Sequence, residues 1–365
     1  MVKLLLKFLV FLSINLLVEC EKSELLAVTV LFRHGCRSPR KTFKSDPYND
    51  KFFDIWPEGL GHLTNLGKRQ QFALGQWYRK YYKDFIPEKY DPNFLRVVSS
   101  DKDRCIMSAA ANLAALFPPK EEQIWNSNLL WQPIPIHTTP EIKDYTVVGQ
   151  AYCPKYKKLY SDLLSSKDFT DFMEERKDLF NYLTEHAGEN VTTLGDVTFL
   201  HDTLFIENYI NLTIPEWTKK VFPHKTLPLL TKVYVLDTST TELARLKSGP
   251  LVDYITTFFE DVLQNPKDSQ KFLMLSVHDS TISHLLNTLK VYDNTWPEYA
   301  STVMFELRRG EGEPFLNINF KNSTMMRNIV LNGCSKDCNF AEYQKIIQPI
   351  RITSEEAEKE CKSVQ

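Results

Sequence analysis

Residues 24–39 read ELLAVTVLFRHGCRSP, an apolar run that ends on a cluster of basic residues. The segment Glu24 to Phe32 is nearly continuous in β-favouring apolar residues, a pattern typical of a strand buried on both faces. Arg33, His34 and Gly35 follow it directly. Because open α/β sheets bind their ligands at the carboxyl ends of the strands, this stretch predicts a central strand that delivers Arg and His to a ligand site.

The same arrangement occurs twice more along the chain. A short strand predicted over Leu95–Ser99 leads into a helical pattern over Arg104–Leu116, and a third strand over Lys271–Val277 ends on His278 and Asp279. Each buried-type strand thus places Arg or His near its carboxyl end. We therefore expect the three strand ends to form one site.

The overall pattern predicts an α/β fold with a central, mainly parallel mixed sheet flanked by helices and an inserted α-helical cap. A further helix is expected over Leu66–Tyr82, and short alternating strands over Val303–Leu331 predict a hairpin at the sheet edge. Between Pro119 and Gly249 the sequence changes to helical segments rich in Trp, Tyr and Lys, which we interpret as the cap. The predicted limits are a leader over 1–20 and one domain over 21–365, with its core at 21–119 and 250–365 and its cap at 120–249.

Composition and charge exclude several classes of protein. The chain has 365 residues, 43% hydrophobic and 12% aromatic, which is enough apolar material for a large core. Its 44 basic and 46 acidic residues are mixed and leave a net charge of −2, so nucleic acid is not an expected partner. Small anions remain candidate ligands, because a few Arg side chains focused in one pocket bind them whatever the total charge.

The first twenty residues predict a secretory signal peptide. Lys3 and Lys7 precede an apolar run over Phe8–Val18, and cleavage is expected near Cys20. A membrane anchor is the alternative, but the run is shorter than the roughly 20 residues that span a bilayer. We expect a secreted protein that leaves the membrane after cleavage, with the lysosomal lumen as the alternative location.

Cysteine usage fits export. Without Cys20 an even set of six remains, for which disulfides are expected in an oxidising compartment, although six cysteines allow 15 pairings. Sequons predict glycosylation at the surface. The six cysteines are Cys36, Cys105, Cys153, Cys334, Cys338 and Cys361, and the sequons begin at Asn190, Asn211 and Asn322.

The basic loop after the first strand carries a resemblance to a known family. Residues 33–39 place two guanidinium groups around an imidazole, and Gly35 would allow the close approach of a tetrahedral anion. The sequence Arg-His-Gly-Cys-Arg-Ser-Pro resembles the Arg-His-Gly-x-Arg-x-Pro signature of the histidine acid phosphatases. Arg104, with the Ala- and Leu-rich segment that follows it, and His278-Asp279 continue the resemblance, which runs from Glu24 to the C-terminus and is closest in character to insect secreted and venom acid phosphatases.

The chemistry of these residue types, read with the resemblance, predicts an acid phosphatase. His34 would attack the phosphorus of a monoester and form a phosphohistidine. Asp279 would have to be protonated to serve as general acid on the leaving oxygen, which would give an acidic pH optimum. A helix N-cap is the alternative role for this residue, because an apolar helical pattern follows it. The residues expected to bind the phosphate are Arg33, Arg37, Arg104 and His278.

This scheme needs no metal and no cofactor. The eight histidines contain no His-Glu-x-x-His pair, and residues such as His62, His137 and His186 are interpreted as surface or core residues. The expected partner is a small phosphate monoester. The resemblance leaves a homodimer open, but the sequence reveals no interface.

Position 36 departs from the family pattern, because the signature usually has Asp where this chain has Cys. If Arg37 and Arg104 face the ligand, Cys36 and Cys105 next to them would point towards a shared rear wall. We therefore predict a Cys36–Cys105 disulfide, with two buried free thiols as the alternative. The resemblance implies two further pairs, Cys153–Cys361 and Cys334–Cys338.

Two other functions are alternatives to a broad-specificity acid phosphatase. A phytase-like inositol polyphosphate phosphatase should require a markedly basic cap, which the sequence does not show. A catalytically inactive secreted binding or venom protein would keep the fold only, whereas this chain retains all six expected polar positions. Candidate pocket walls, otherwise core aromatics, are Trp125, Trp131, Tyr145 and Tyr152.

Overall fold

The structure is a computed structural model that describes residues 23–149 and 152–363. The predicted signal peptide lies outside the described residues. Eight strands form one mixed sheet. They are β1 (Glu24–Arg33), β2 (Leu95–Ser100), β3 (His137–Thr139), β4 (Phe272–Val277), β5 (Thr302–Arg309), β6 (Phe315–Lys321), β7 (Met326–Ile329) and β8 (Cys338–Asn339).

The strand order brings the three predicted strand ends together. The order is β3-β2-β4-β1-β5-β6-β7, with β8 paired to β6. β4 lies between β1 and β2 and is parallel to both, so that Val28 and Leu95 flank Phe272 in register. β5, β6 and β7 continue the sheet with antiparallel pairing. The carboxyl ends of β1, β2 and β4 therefore meet at one edge, and the predicted α/β fold with its mainly parallel centre is confirmed.

The burial of β1 explains its continuous apolar sequence. Val28 and Phe32 face one core, which the helices Asn65–Tyr81 and Asp103–Leu116 cover, whereas Ala27 and Leu31 face a second core on the opposite side of the sheet. Because side chains alternate along a strand, a strand covered on both faces needs apolar residues at every position. The helices are α1 (Phe52–Ile55), α2 (Asn65–Tyr81), α3 (Asp103–Leu116), α4 (Pro154–Leu164), α5 (Lys167–Glu174), α6 (Lys177–Ala187), α7 (Leu194–Tyr209), α8 (Thr226–Leu236), α9 (Thr241–Gln264), α10 (Asp279–Thr288), α11 (Phe340–Ile347) and α12 (Ser354–Lys362).

The helices between β3 and β4 build a separate apolar core. Leu183, Val197 and Leu204 are buried in it with Phe43, which comes from the loop after β1. α9 runs unbroken through residue 249, where the sequence pattern placed the end of the cap. Gly249 packs so closely against the backbone of Ile350 that a Cβ would lie 2.3 Å from its carbonyl oxygen. The Gly-Pro pair thus marks a tight helix contact and not the end of an element.

The two disulfides implied by the family resemblance are present, but the separately predicted third disulfide is not. The structure contains the Cys153–Cys361 and Cys334–Cys338 disulfides. The predicted Cys36–Cys105 disulfide was wrong, because both residues are buried free thiols. Neighbouring side chains point in opposite directions only in extended backbone, whereas Cys105 lies in α3, where successive side chains differ by about 100°.

In the part of the chain that the structure describes, no helix is long and apolar enough to cross a membrane.

Candidate active site

A cavity of about 490 Å³ opens at the edge where β1, β2 and β4 end. Five of the six predicted site residues line it: His34, Arg37, Arg104, His278 and Asp279. α3 and α10 begin beside the cavity, so their N-terminal backbone N–H groups and helix dipoles favour an anion there. The structure thus places residues from three distant parts of the sequence around one anion-binding volume.

Gly35 holds the loop after β1 against α2. A Cβ on Gly35 would lie 2.2 Å from the carbonyl oxygen of Gly67, and a Cβ on Gly67 would lie 2.1 Å from that of Cys36. The two backbones therefore touch, and neither position tolerates a side chain without displacement. From the sequence we expected Gly35 to allow close approach of an anion. The structure adds a second reason for glycine here, because the backbone of Gly67 packs directly against it.

His34 has the protonation state of a nucleophile. Its side chain is buried, and Nδ1 lies 2.8 Å from the carbonyl oxygen of Gly35, to which it donates a hydrogen bond. This bond leaves the lone pair on Nε2. Burial, and then the charges of Arg104 and Arg33, lower the pKa of His34 well below its ordinary value. The imidazole therefore stays neutral to a lower pH than a free histidine does.

Arg37 is held by a carboxylate from the helical cap. Its Nη2 lies 2.8 Å from Oδ1 of Asp202 in α7, and both side chains are almost completely buried. The Nε of Arg37 has no acceptor in the described protein. No motif in the sequence indicated Asp202, which lies 165 residues from Arg37.

Arg104 and His278 contact each other across the cavity. Nη2 of Arg104 lies 3.4 Å from Nδ1 of His278, whose Nε2 lies 2.9 Å from the hydroxyl of Ser100. Burial and the charge of Arg104 lower the pKa of His278 to about 3, so the ring is neutral and carries one N–H. In this arrangement Nδ1 accepts from Arg104, and Nε2 donates to Ser100. To donate to a phosphate, as predicted, the ring would have to adopt the other tautomer, in which Nδ1 carries the proton and Nε2 accepts from the hydroxyl of Ser100.

Arg33 lies behind the cavity and not in its wall. The side chain is fully buried, its Nη1 donates to the carbonyl oxygen of Pro297, and its Nη2 lies 3.1 Å from Oδ2 of Asp279. Its guanidinium carbon lies 4.8 Å and 4.2 Å from the ring centroids of Trp296 and Tyr299. Arg33, which was expected to bind the phosphate, thus pairs with Asp279, the expected general acid.

Asp279 is the first residue of α10 and accepts several hydrogen bonds. Oδ2 accepts from Nε1 of Trp296 at 2.6 Å and from the hydroxyl of Tyr234 at 3.2 Å. Oδ1 accepts from the backbone N–H of Ser280. Burial alone would raise the pKa of Asp279, but the charges of Arg33 and the neighbouring cations lower it well below its ordinary value. The carboxyl group is therefore ionised here, whereas a general acid must be protonated.

Sequence reasoning missed three cationic residues of the cavity wall, Arg40, Lys102 and Lys247. None of them lies in the matched motif, and they come from three separate elements, so no local pattern connects them. The aromatic residues proposed as walls do not line this cavity. Trp125, Trp131 and Tyr152 are exposed, and Tyr145 is buried in another cluster.

The two free thiols next to the site are unreactive. Burial raises the pKa of Cys105 to about 12 and also raises the pKa of Cys36, so neither forms a thiolate readily. Across residues 23–149 and 152–363, no group of three or more His, Cys, Asp or Glu side chains is arranged to hold a metal ion.

Comparisons with known proteins agree with this geometry. The profile of the histidine phosphatase superfamily (branch 2) matches residues 24–321. Bovine prostatic acid phosphatase is 36% identical over 93% of this chain and 88% of its own length. Lysosomal acid phosphatase of Xenopus laevis is 34% identical over 98% and 84%, and venom acid phosphatase Acph-1 of Apis mellifera is 33% identical over 92% and 87%.

Solved structures support the fold. A phytase from Citrobacter braakii superposes with a TM-score of 0.68 at 16% identity, over 93% of this chain and all of that chain. At this identity the likeness concerns the fold alone. The profile match over most of the sequence, together with relatives above 30% identity, shows that this chain belongs to the histidine phosphatase superfamily, branch 2.

Proposed function

We propose that this protein is an acid phosphatase that hydrolyses phosphate monoesters through a phosphohistidine formed on His34. The observation that carries the proposal is a neutral, buried imidazole in the wall of a cavity that also contains Arg37 and Arg104. The relatives named acid phosphatase support the reaction type.

The arginines supply what a phosphoryl group needs. The Nε atoms of Arg37 and Arg104 are buried and have no acceptor among the described residues. Unpaired buried donors are costly, and three phosphoryl oxygens offer acceptors in a geometry that guanidinium groups bind well. Because arginine stays charged at any working pH, the same groups stabilise the charge on the equatorial oxygens in the transition state.

The proposed reaction has two steps. In the first, the lone pair of His34 Nε2 forms a bond to phosphorus while the bond from phosphorus to the ester oxygen breaks, and that oxygen takes a proton from Asp279. In the second, water attacks phosphorus, the P–N bond breaks, and Asp279 takes a proton from the water. Orthophosphate leaves, and His34 returns to its neutral form.

The proton for the first step enters with the substrate. Asp279 is ionised in the described arrangement, but below about pH 6 a phosphate monoester is a monoanion that still carries a proton. A bound phosphoryl group also adds negative charge beside Asp279 and raises the pKa of this carboxyl group. Both effects favour transfer of the proton to Asp279 at acidic pH, which gives an acidic optimum without a protonated resting carboxyl group.

Secretion and glycosylation complete the proposal. The N-terminal pattern supports a cleaved signal peptide, and a lysosomal relative makes the lysosomal lumen the alternative destination. Asn190 and Asn211 are exposed and available for a glycan. Asn322 is half-buried, and its side-chain oxygen accepts from the backbone of Met325, so we expect less modification there.

The test is hydrolysis of 4-nitrophenyl phosphate from pH 4 to 8 in the presence of EDTA. We expect an acidic optimum for the wild type and a loss of at least about a thousandfold in kcat for His34→Ala. His224→Ala is the matched control, because His224 is exposed and distant in sequence from the motifs. Mass spectrometry after an alkaline quench should find one added phosphoryl group on His34. A wild type without turnover would support the alternative that the protein is a catalytically inactive binding protein. Activity in His34→Ala would show that His34 is not the nucleophile.

A further inference from the structure

The cavity wall carries more positive charge than one phosphoryl group requires. Besides Arg37 and Arg104, it includes Arg40, Lys102 and Lys247. The cavity volume of about 490 Å³ falls within the usual range for small-molecule sites, so it has room for a leaving group as well as a phosphate. The extra cations therefore line a cavity that is large enough to hold a leaving group beside the phosphate.

Lys102 is already neutralised. Its Nζ forms an ion pair with Glu141, which lies in the same wall. It contributes little to the recognition of a second anion. The two remaining cations, Lys247 and Arg40, are therefore the groups available to bind a second anion.

Lys247 has no anionic partner of its own. Among the described residues, no carboxylate oxygen lies within 4.0 Å of its Nζ, which sits 5.8 Å from the ring centroid of Tyr156. Burial lowers the pKa of Lys247, and the charge of Asp237 only partly opposes this effect. An anion placed at Nζ would compensate for the cost of burying the ammonium group.

Arg40 shares its carboxylate with another arginine. Its Nε lies 3.7 Å from Oδ2 of Asp202, whose other oxygen already binds Arg37 at 2.8 Å. One negative charge thus serves two guanidinium groups. The guanidinium of Arg40 lies over the ring of Phe199, 4.8 Å from its centroid, and remains 39% exposed. This contact orients the group at the cavity wall while it keeps access to a ligand.

We propose that the preferred substrates are small phosphate monoesters whose leaving group carries a second anionic group, which Lys247 and Arg40 bind. This inference rests on the proposed phosphatase function and deepens it. The sequence could not show a basic pocket, because its cations come from the loop after β1 and from α9 and not from a basic stretch of the cap. A carboxylate and a second phosphate share the required chemistry, so both are tested.

The experiment compares matched substrates. The first pair is glycerol 3-phosphate, whose leaving group ends in a hydroxymethyl group, and 3-phosphoglycerate, whose leaving group ends in a carboxylate. The second pair, fructose 6-phosphate and fructose 1,6-bisphosphate, tests a second phosphate. For the wild type we expect kcat/KM about tenfold higher for the more anionic member of a pair, the size of one charge-assisted hydrogen bond. Preference in only one pair would identify the anionic group that is bound.

Variants connect the preference to the two residues. Lys247→Gln and Arg40→Gln should each reduce the preference to about twofold or less, whereas Lys267→Gln, at an exposed position, should leave it unchanged. Hydrolysis of all four esters without preference, or a preference that both variants retain, would overturn the inference and leave the phosphatase function intact. Hydrolysis of 4-nitrophenyl phosphate but of none of the four esters would also overturn the inference, whereas only the absence of hydrolysis of all five esters would reject the phosphatase function.

Discussion

Nη2 of Arg33 lies 3.1 Å from Oδ2 of Asp279, and this ion pair joins the end of β1 to the start of α10 beneath the cavity. Trp296 contacts both partners, because its ring lies against the guanidinium and its Nε1 donates to the carboxylate. The pKa of Asp279, the proposed general acid, thus depends on Arg33, which does not line the cavity. Stability and the pH dependence of the reaction should therefore change together when this pair is altered.

Arg33→Gln should destabilise the protein by about 3–5 kcal/mol at pH 7, because it leaves the largely buried Asp279 carboxylate unpaired. Arg33 lowers the pKa of Asp279, so the pKa rises in the variant, and the destabilisation should shrink as the pH falls and the carboxyl group is protonated. Urea unfolding at pH 7 and pH 4.5 measures this difference. Arg176→Gln is the control, since Arg176 also pairs with a carboxylate and lies over an aromatic ring but is partly exposed. Equal losses for both variants would contradict the prediction.

Trp296→Phe should move the alkaline limb of the kcat profile to higher pH. The substitution removes the N–H donor 2.6 Å from Oδ2 of Asp279, and loss of a donor to the charged form raises the pKa of the carboxyl group. A general acid loses activity as the pH rises through its pKa, so a higher pKa extends activity upward. Trp217→Phe controls for the loss of an indole, because its ring packs against Phe43 and His186 in the cap. An unshifted limb with a reduced kcat would indicate a purely structural role.

Asp202→Asn should weaken phosphate binding. The amide removes the charge that balances the buried Arg37, so the guanidinium loses its fixed position and the fold loses about 3 kcal/mol or more. We expect a roughly tenfold increase in the inhibition constant for inorganic phosphate, with KM rising in parallel. Glu189→Gln is the matched control, because its ion pair with Lys41 is exposed and worth about 1 kcal/mol at most. Unchanged inhibition by phosphate would mean that Asp202 does not position Arg37.

The sequence predicted those parts of the site that lie next to each other in the chain. Arg33, His34 and Arg37 follow the first strand, and the parallel pairing of β1 with β4 brings His278 and Asp279 beside them. A buried strand appears in the sequence as a continuous apolar run, and the residues of an oxyanion-binding motif lie close together in the chain. Both features can therefore be recognised from the sequence alone. The helix bounds also agree to within one or two residues, because amphipathic periodicity is a local property.

The missed features depend on contacts between distant segments. Asp202 reaches Arg37 from the cap, and Lys247 reaches the cavity from α9, although neither has a distinctive sequence neighbourhood. The Cys36–Cys105 prediction assumed extended or loop backbone at Cys105, which lies in the first turn of α3. The low pKa of Asp279 was also not predictable from the sequence, because it depends on Arg33 and other cations that only the fold places around the carboxyl group. Electrostatic states follow from three-dimensional neighbours, which a motif does not specify.

A buried pair of carboxyl groups, Asp46 and Glu207, should make the protein more stable at acidic than at alkaline pH. Neither oxygen of Glu207 has a donor among the described residues, and Tyr48 donates only to Oδ1 of Asp46. Two carboxyl groups in contact can form a hydrogen bond only when one of them carries a proton. Burial and the charge of Asp46 raise the pKa of Glu207 to about 9, so Glu207 holds this proton.

The sign of the pH effect follows from that shift. A carboxyl group whose pKa is higher in the folded than in the unfolded protein contributes its full stability below the unfolded pKa, near 4.5, and loses it as the pH rises towards 9. The free energy of unfolding should therefore fall by up to about 1.4 kcal/mol per pH unit over this range. Glu207→Gln keeps a neutral side chain at every pH and should flatten the dependence, with the largest gain at pH 8. Urea unfolding at pH 5, 6.5 and 8 tests this, with the exposed Glu185→Gln as control. A variant that follows the wild-type slope would show that Glu207 is ionised in the folded protein.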